Sequence, residues 1–149
     1  MLTIKKSIHI MRPVSYVYDT ARDPEKWGYW YSSLSRPTSI VGKGEAGTKT
    51  EFTYSMMGMH FPVIIEVILD QPSQEEGHWE GTIRGPITGK QHNTYLPKDD
   101  GTDVTYELEF SIPTSLLGKV ANVLFIHRVE ENALVQTLAN LKILCELDD

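Results

Sequence analysis

Residues 115–147 read SLLGKVANVLFIHRVEENALVQTLANLKILCEL, and this stretch decides the fold because its pattern is typical of one long helix. Ser115 has a side chain suited to an N-cap, and it follows Pro113, which cannot lie in a central strand. No proline occurs after Ser115, so the helix is expected to extend unbroken for roughly 48 Å. A helix this long needs a broad surface to cover. Its predicted apolar face comprises Val120, Leu124, His127, Leu134, Leu138, Leu141 and Cys145.

Composition and charge limit the class of protein and its partners. The 149 residues are 40% apolar and 23% charged, which fits one soluble globular domain over residues 1–149. The net charge of −6 and the lack of a basic run argue against nucleic acid as the main partner. Cys145 is the single cysteine, which excludes an internal disulfide. The first residues lack the apolar core of a signal peptide, and no apolar run is long enough to span a bilayer. We therefore expect a cytoplasmic protein that is not integral to a membrane.

Alternating apolar and polar residues predict strands before the helix. Residues 2–10 alternate in this way, and Pro13 and Pro24 then start two short helices, the second of which carries Trp27 and Trp30. Glycine and proline turns separate the segments that follow. Six further strands are predicted at residues 40–41, 48–57, 61–69, 77–83, 89–96 and 104–112.

This element order predicts an α+β fold. Consecutive hairpins form an antiparallel sheet of about seven strands with one solvated face. A sheet of this size curves, and its concave side must be covered. Of the predicted helices, the terminal one has the necessary length. We therefore predict a curved antiparallel sheet, in the order β-α-α-β6-α, that wraps around the C-terminal helix and leaves a cavity between them.

Several segments carry a resemblance to a known family. Ile8-His9-Ile10 is followed by PVSYVY at residues 13–18 and DPEKWGYW at residues 23–30, while GTDVTY at residues 101–106 precedes the last strand. With the element order, these resemble the START/Bet v 1-like (SRPBCC) superfamily in its polyketide cyclase/dehydrase-like branch. The resemblance implies a helix-grip fold with an apolar cavity. Its members bind lipids, sterols, polyketides or plant metabolites; some are cyclases or aromatases, and related ones bind Hsp90.

Aromatic residues and methionines supply the candidate cavity lining. They exceed what a thin layer between sheet and helix requires, and tyrosine hydroxyls can orient a ligand. For each aromatic residue taken alone, core packing is the more frequent role. The predicted ligand-binding residues are Trp27, Trp30, Tyr54, Met56, Phe61, Trp79, Tyr95, Tyr106, Phe110, Val120, Leu124, His127, Glu131, Leu134 and Leu138.

His127 is the candidate for proton transfer because it falls on the predicted apolar face of the helix. Glu131 lies one turn further on, where it can contact the imidazole. A core histidine that bonds a strand carbonyl is the more frequent arrangement, so no catalytic residue is predicted. No metal or other cofactor is expected either, because no HExxH motif or Cys/His cluster occurs and the histidines His60, His78 and His92 lie on separate strands.

Three functions remain open. We favour binding or transport of a small hydrophobic or amphipathic ligand, lipid-like or polyketide-like. The first alternative is a cyclase, aromatase or dehydratase that uses His127 with Tyr106 or Tyr54. The second is an Hsp90-activator-like or accessory-subunit role, for which the methionine-rich turn at residues 56–59 offers a contact surface. A weak homodimer or a protein partner is compatible with each.

Overall fold

The computed structural model describes residues 2–111 and 123–147, and these form one antiparallel sheet packed against helices. The helices are α1 (Val14–Arg22), α2 (Trp27–Trp30), which follows a 3-10 turn at Pro24–Lys26, and α3 (Val123–Glu146). The strands are β1 (Leu2–Ile10), β2 (Ser39–Val41), β3 (Lys49–Met56), β4 (Met59–Gln71), β5 (Gly77–Arg84), β6 (Thr88–Lys98) and β7 (Gly101–Ser111).

The seven strands form one antiparallel sheet that bends along β4. In the order β1-β7-β6-β5-β4-β3-β2, every neighbouring pair is antiparallel. The register shifts between Val67 and Leu69 of β4, and such a bulge bends a strand. The predicted curved seven-stranded sheet and the α+β helix-grip fold are confirmed.

Helix α3 buries Leu134, Leu138, Leu141 and Cys145 as the sequence predicts, but its N-terminal half turns other residues inward. Ser115 and Val120 fall outside the described residues, as does the side chain of Leu124. The helix turns Ile126 and Glu130 inward, whereas His127 is only partly buried. The assignment of His127 to the interior face is therefore corrected. The residues that α3 buries are Ile126, Glu130, Leu134, Thr137, Leu138, Leu141 and Cys145.

Polar contacts fix α3 against the elements at its two sides. The Nζ of Lys142 donates to the carbonyl of His9 at 3.0 Å, and the Nε of Arg12 donates to the carbonyl of Cys145 at 3.0 Å. Further towards its N-terminus, the hydroxyl of Ser32 donates to the carbonyl of Ala133 at 2.8 Å. These bonds hold α3 in one rotational setting, which determines the side chains that face the sheet.

Aromatic rings fill the space beside the cavity. Trp27 and Trp30 of α2 are fully buried, and Trp30 stacks on Tyr31 with ring centroids 4.0 Å apart. Trp27 meets the edge of Trp79 from β5 at 5.6 Å. The ring of Trp79 lies flat enough to contact the backbone of Gly81, where a Cβ would stand 2.6 Å from it. Glycine is thus needed at this position for close packing.

Candidate ligand-binding cavity

A partly enclosed cavity lies between the sheet and α3. The volume open to the centres of water-sized molecules is about 40 Å³. About 10–15 Å³ of such volume holds one water, so the space takes a few waters or a correspondingly small ligand. Its walls come from the segment after α2, from strands β3 to β7 and from α3: Tyr31, Ser33, Leu34, Tyr54, Ile65, Ile83, Gln91, Tyr106, Leu108, Glu130, Ala133, Leu134 and Thr137.

A buried acid and a tyrosine form the polar centre of this cavity. The hydroxyl of Tyr54 donates to Oε2 of Glu130 at 2.5 Å, and the two residues are 7% and 4% exposed. Burial raises the pKa of Glu130, and the hydrogen bond from Tyr54 offsets only part of this effect. Within residues 2–111 and 123–147, no lysine, arginine or histidine lines the cavity. The carboxyl is therefore neutralised by a proton to a higher pH than an exposed glutamate would be.

A second polar group enters the wall from β6. The Nε2 of Gln91 donates to the hydroxyl of Tyr31 at 2.8 Å and approaches the Oδ1 of Asn93 at 3.3 Å. Asn93 in turn reaches the hydroxyl of Tyr95 at 3.3 Å. Burial raises the pKa of Tyr31 and, well above its ordinary value, that of Tyr106. These hydroxyls consequently remain protonated and are available as hydrogen-bond donors.

The predicted ligand-binding residues divide into those that line the cavity and those that do not. Tyr54, Tyr106 and Leu134 line it. Val120 and the side chain of Leu124 lie outside the described part of the chain. Eight others are buried in the core without lining the cavity, namely Trp27, Trp30, Met56, Phe61, Trp79, Tyr95, Phe110 and Leu138.

His127 and Glu131 face the edge strand β1 rather than the cavity. The Nε2 of His127 lies 3.3 Å from the carbonyl oxygen of Thr3, and Glu131 pairs with Lys6 at 3.4 Å. The rotational setting of α3 places Glu130 inward instead. The titratable group in the cavity is thus a carboxyl and not an imidazole, so His127 does not share a space with Tyr54 or Tyr106.

The sequence reading missed Tyr31, Gln91 and Glu130. Gln91 and Asn93 have the same strand parity as Tyr95, so extending that alternation along β6 would have placed both amides inside. Glu130 lies four residues from both Ile126 and Leu134, which is the spacing of one helix face. At the methionine-rich turn, Met57 and Met59 pack partly buried against the core and do not line the cavity.

Comparison with known proteins gives one family match. The model of the family described as polyketide cyclase/dehydrase and lipid transport matches residues 1–146. No curated protein matches the chain. Among the described residues, no helix is long and apolar enough to cross a membrane.

Solved structures show a similar fold at low sequence identity. TTHA0849 from Thermus thermophilus is 19% identical with a TM-score of 0.75, and 97% of each chain is covered. A START superfamily protein from Mycobacterium smegmatis is 13% identical with a TM-score of 0.72 and the same coverage of 97% on both sides. The ZhuI aromatase/cyclase from Streptomyces sp. R1128 is 12% identical with a TM-score of 0.73, covering 97% of this chain and 93% of the other.

Proposed function

Because this chain belongs to the polyketide cyclase/dehydrase and lipid transport family, we propose that it binds a small hydrophobic or amphipathic molecule in the cavity under α3. The observation that carries the proposal is the buried pair of Tyr54 and Glu130 in a wall that is otherwise largely apolar. A buried carboxyl is costly unless something compensates it. Its presence is accounted for if a ligand completes its hydrogen bonds.

The chemistry of the wall favours a ligand that donates a hydrogen bond. Glu130 accepts when ionised, and none of the described lining residues is a cation that would attract a carboxylate. A ligand hydroxyl, phenol or amide would bond the free carboxyl oxygen, whereas a fatty or aromatic acid would bring a second negative charge. We expect alcohols and phenols to bind better than the matching carboxylates.

The volume of the cavity bears on ligand size. Pockets for drug-sized ligands occupy ~300–1,000 Å³, far more than the few waters that fit here. A larger guest must displace the side chains around the cavity, and α3 contributes the small residues Ala133 and Thr137 on that wall. The bound part of the ligand is accordingly a ring or a short chain.

Matched aromatic ligands test the proposal. 2-Naphthol and 2-naphthoate differ in the donor that they present but share the ring system. Binding is measured by isothermal titration calorimetry and by protein NMR shifts at pH 7.5. We expect 2-naphthol to bind, to shift the resonances of Tyr54 and Tyr106, and to have at least tenfold higher affinity than 2-naphthoate.

Neighbouring glutamates give a matched pair of variants. Glu130→Gln removes the ionisable carboxyl inside the cavity, so the preference for naphthol over naphthoate should shrink. Glu131→Gln removes the charge that pairs with Lys6 outside the cavity, and it should leave the preference unchanged. Equal binding of both ligands by the wild type, or shifts confined to the protein surface, would contradict the proposal.

A second candidate function is proton transfer to the bound molecule. Support comes from Glu130, an acid with a raised pKa beside a tyrosine hydroxyl in a cavity. In a dehydration, the ionised Glu130 carboxyl would take the proton next to a ketone and return it to the β-hydroxyl, which then leaves as water. The test is the conversion of 4-hydroxy-4-phenylbutan-2-one to the conjugated enone, followed by absorbance. Turnover that Glu130→Gln abolishes and Glu131→Gln preserves would support it, whereas no turnover above buffer would exclude it for this substrate class.

A further inference from the structure

Two histidines meet on the face of the sheet that is opposite the cavity. His78 of β5 and His92 of β6 alternate with buried neighbours and therefore point outward. The register pairs His92 with Glu80, so His78 lies diagonally across from His92. The Nδ1 of His78 and the Nε2 of His92 are 3.4 Å apart.

A carboxylate lies beside the other nitrogen of each ring. The Nδ1 of His92 lies 2.8 Å from Oε1 of Glu80, and the Nε2 of His78 lies 3.4 Å from Oε1 of Glu76. An ionised carboxylate only accepts hydrogen bonds, so the Nδ1 of His92 carries the proton in its bond to Glu80, and its Nε2 is the nitrogen available to a metal ion. The Nδ1 of His78 faces that nitrogen, so the two rings can share either a proton or a metal ion between them. Glu80 also lies 3.9 Å from Lys90, which leaves the cluster with more negative than positive charge.

We propose that His78 and His92 bind a divalent transition-metal ion such as Zn²⁺ through these two facing nitrogens. Two nitrogens at ~2.0–2.1 Å from a tetrahedral zinc stand roughly 3.3–3.4 Å apart, which is the separation found here. A nitrogen-donor hydrogen bond is usually shorter, with a mode near ~2.9–3.0 Å. A carboxylate on the far nitrogen is also the usual arrangement around metal-bound histidine.

The site is open and exchangeable. In the part of the chain that the structure describes, no group of three or more histidine, cysteine or acidic side chains converges on one point. Water therefore completes the coordination of the bound ion. The side chains of His78 and His92 are 30% and 37% exposed, so the ion reaches them directly from solvent.

Zinc titration of untagged, metal-free protein tests the proposal. Competition with a chromophoric chelator should give one Zn²⁺ per chain. His78→Gln and His92→Gln should each lower the affinity at least tenfold, and Glu80→Gln by about tenfold because the ring loses its orienting partner. Nitrogen-15 NMR of the imidazoles should report metal at Nδ1 of His78 and Nε2 of His92.

His60→Gln is the matched control, because His60 is a surface histidine that bonds Ser55 on the hairpin between β3 and β4. It should bind Zn²⁺ as the wild type does. Thermal melting of each metal-free variant checks that the fold is retained. Wild-type protein that binds no Zn²⁺, histidine variants that bind it equally well, or NMR shifts at other imidazoles would each overturn the proposal. None of these outcomes bears on ligand binding in the cavity, which lies on the other face.

Discussion

The buried acid Glu130 makes stability depend on pH. Its pKa in the folded protein is raised by burial, so folding favours the protonated form. The stability that this form provides is complete below the pKa of the unfolded chain and is lost as pH rises through the folded pKa. Glu130→Gln keeps an acceptor for Tyr54 and removes this loss. We expect it to raise the free energy of unfolding at pH 8, with a gain that shrinks towards pH 4. Urea unfolding at several pH values measures it, and an equal gain in Glu131→Gln would contradict the assignment.

The hydroxyl of Tyr54 donates the hydrogen bond that Glu130 accepts inside the cavity. Tyr54→Phe leaves the carboxyl without this bond in a buried setting, which costs about 1–3 kcal/mol of unfolding free energy. The same substitution at Tyr29, a ring that is 63% exposed, should change stability little. Chemical denaturation compares the two variants. Equal, small losses in both would show that the Tyr54 bond adds nothing.

The sequence predicts which strand residues face the cavity better than it predicts which residues of α3 do. Tyr54 and Tyr106 were identified because strand alternation fixes the side to which they point. Glu130 was not, because hydropathy assigns a charged residue to solvent and a helix can rotate by part of a turn to suit its neighbours. His127 was placed inside by the helical spacing of the predicted apolar face, and Glu131 because it lies one turn from His127. The contacts of α3 with His9, Arg12 and Ser32 set its rotation, and these are not visible in a local pattern.

At the scale of elements, β5 depends on a position without a side chain. In Gly81→Ala the new methyl group would stand 2.6 Å from the ring of Trp79, which is buried against Trp27. Since the ring has little room to move, we expect a loss of about 1–3 kcal/mol in unfolding free energy. Thr82→Ala, one residue further along the same strand, serves as the control and should cost less. A loss no larger than that of the control would show that Trp79 repacks freely.

The hairpin between β3 and β4 offers the opposite case, a position that can be improved. Met57 has φ of 53° and Gly58 has φ of 77°, so both turn residues are left-handed. Asparagine tolerates this region better than methionine, and Asn-Gly is the preferred pair for such a turn. Met57→Asn should raise the melting temperature, because relief of backbone strain adds up to about 1 kcal/mol to the free energy of unfolding. The loss of the packing that Met57 makes opposes this gain. A lower melting temperature would show that this packing outweighs the backbone strain.

Elements were easier to predict than their faces. Strand alternation and proline positions predicted β1, α1, α2 and the six later strands, because these signals are local. The ends of β4 and β6 lie beyond the predicted segments, since pairing with neighbouring strands continues past the apolar runs. The convergence of His78 and His92 depends on strand register, which the separate strand patterns do not encode.

At the scale of the whole molecule, the cavity trades stability against binding. A cavity leaves its lining atoms without neighbours, so filling it normally stabilises a protein, and retained cavities often serve function. Here the volume is small, and its described walls are drawn from the segment after α2, from five strands and from α3. Any ligand must therefore be bound by elements that are distant in sequence, and its binding should stabilise the fold as a whole.

Ala133 provides the test at this scale, because its side chain lines the cavity from α3. Ala133→Val adds two methyl groups to that space and should change unfolding free energy by within about 1 kcal/mol. It should also abolish 2-naphthol binding, so that the ligand no longer raises the melting temperature. Ala139→Val is the control, because it makes the same substitution on the same helix but outside the cavity lining. Both variants therefore lose the same helix propensity. For the wild type, ligand at 100 times its Kd should raise the free energy of unfolding by about 2.7 kcal/mol, which is observed as a higher melting temperature. If Ala133→Val kept that shift, the ligand would be bound elsewhere than under α3.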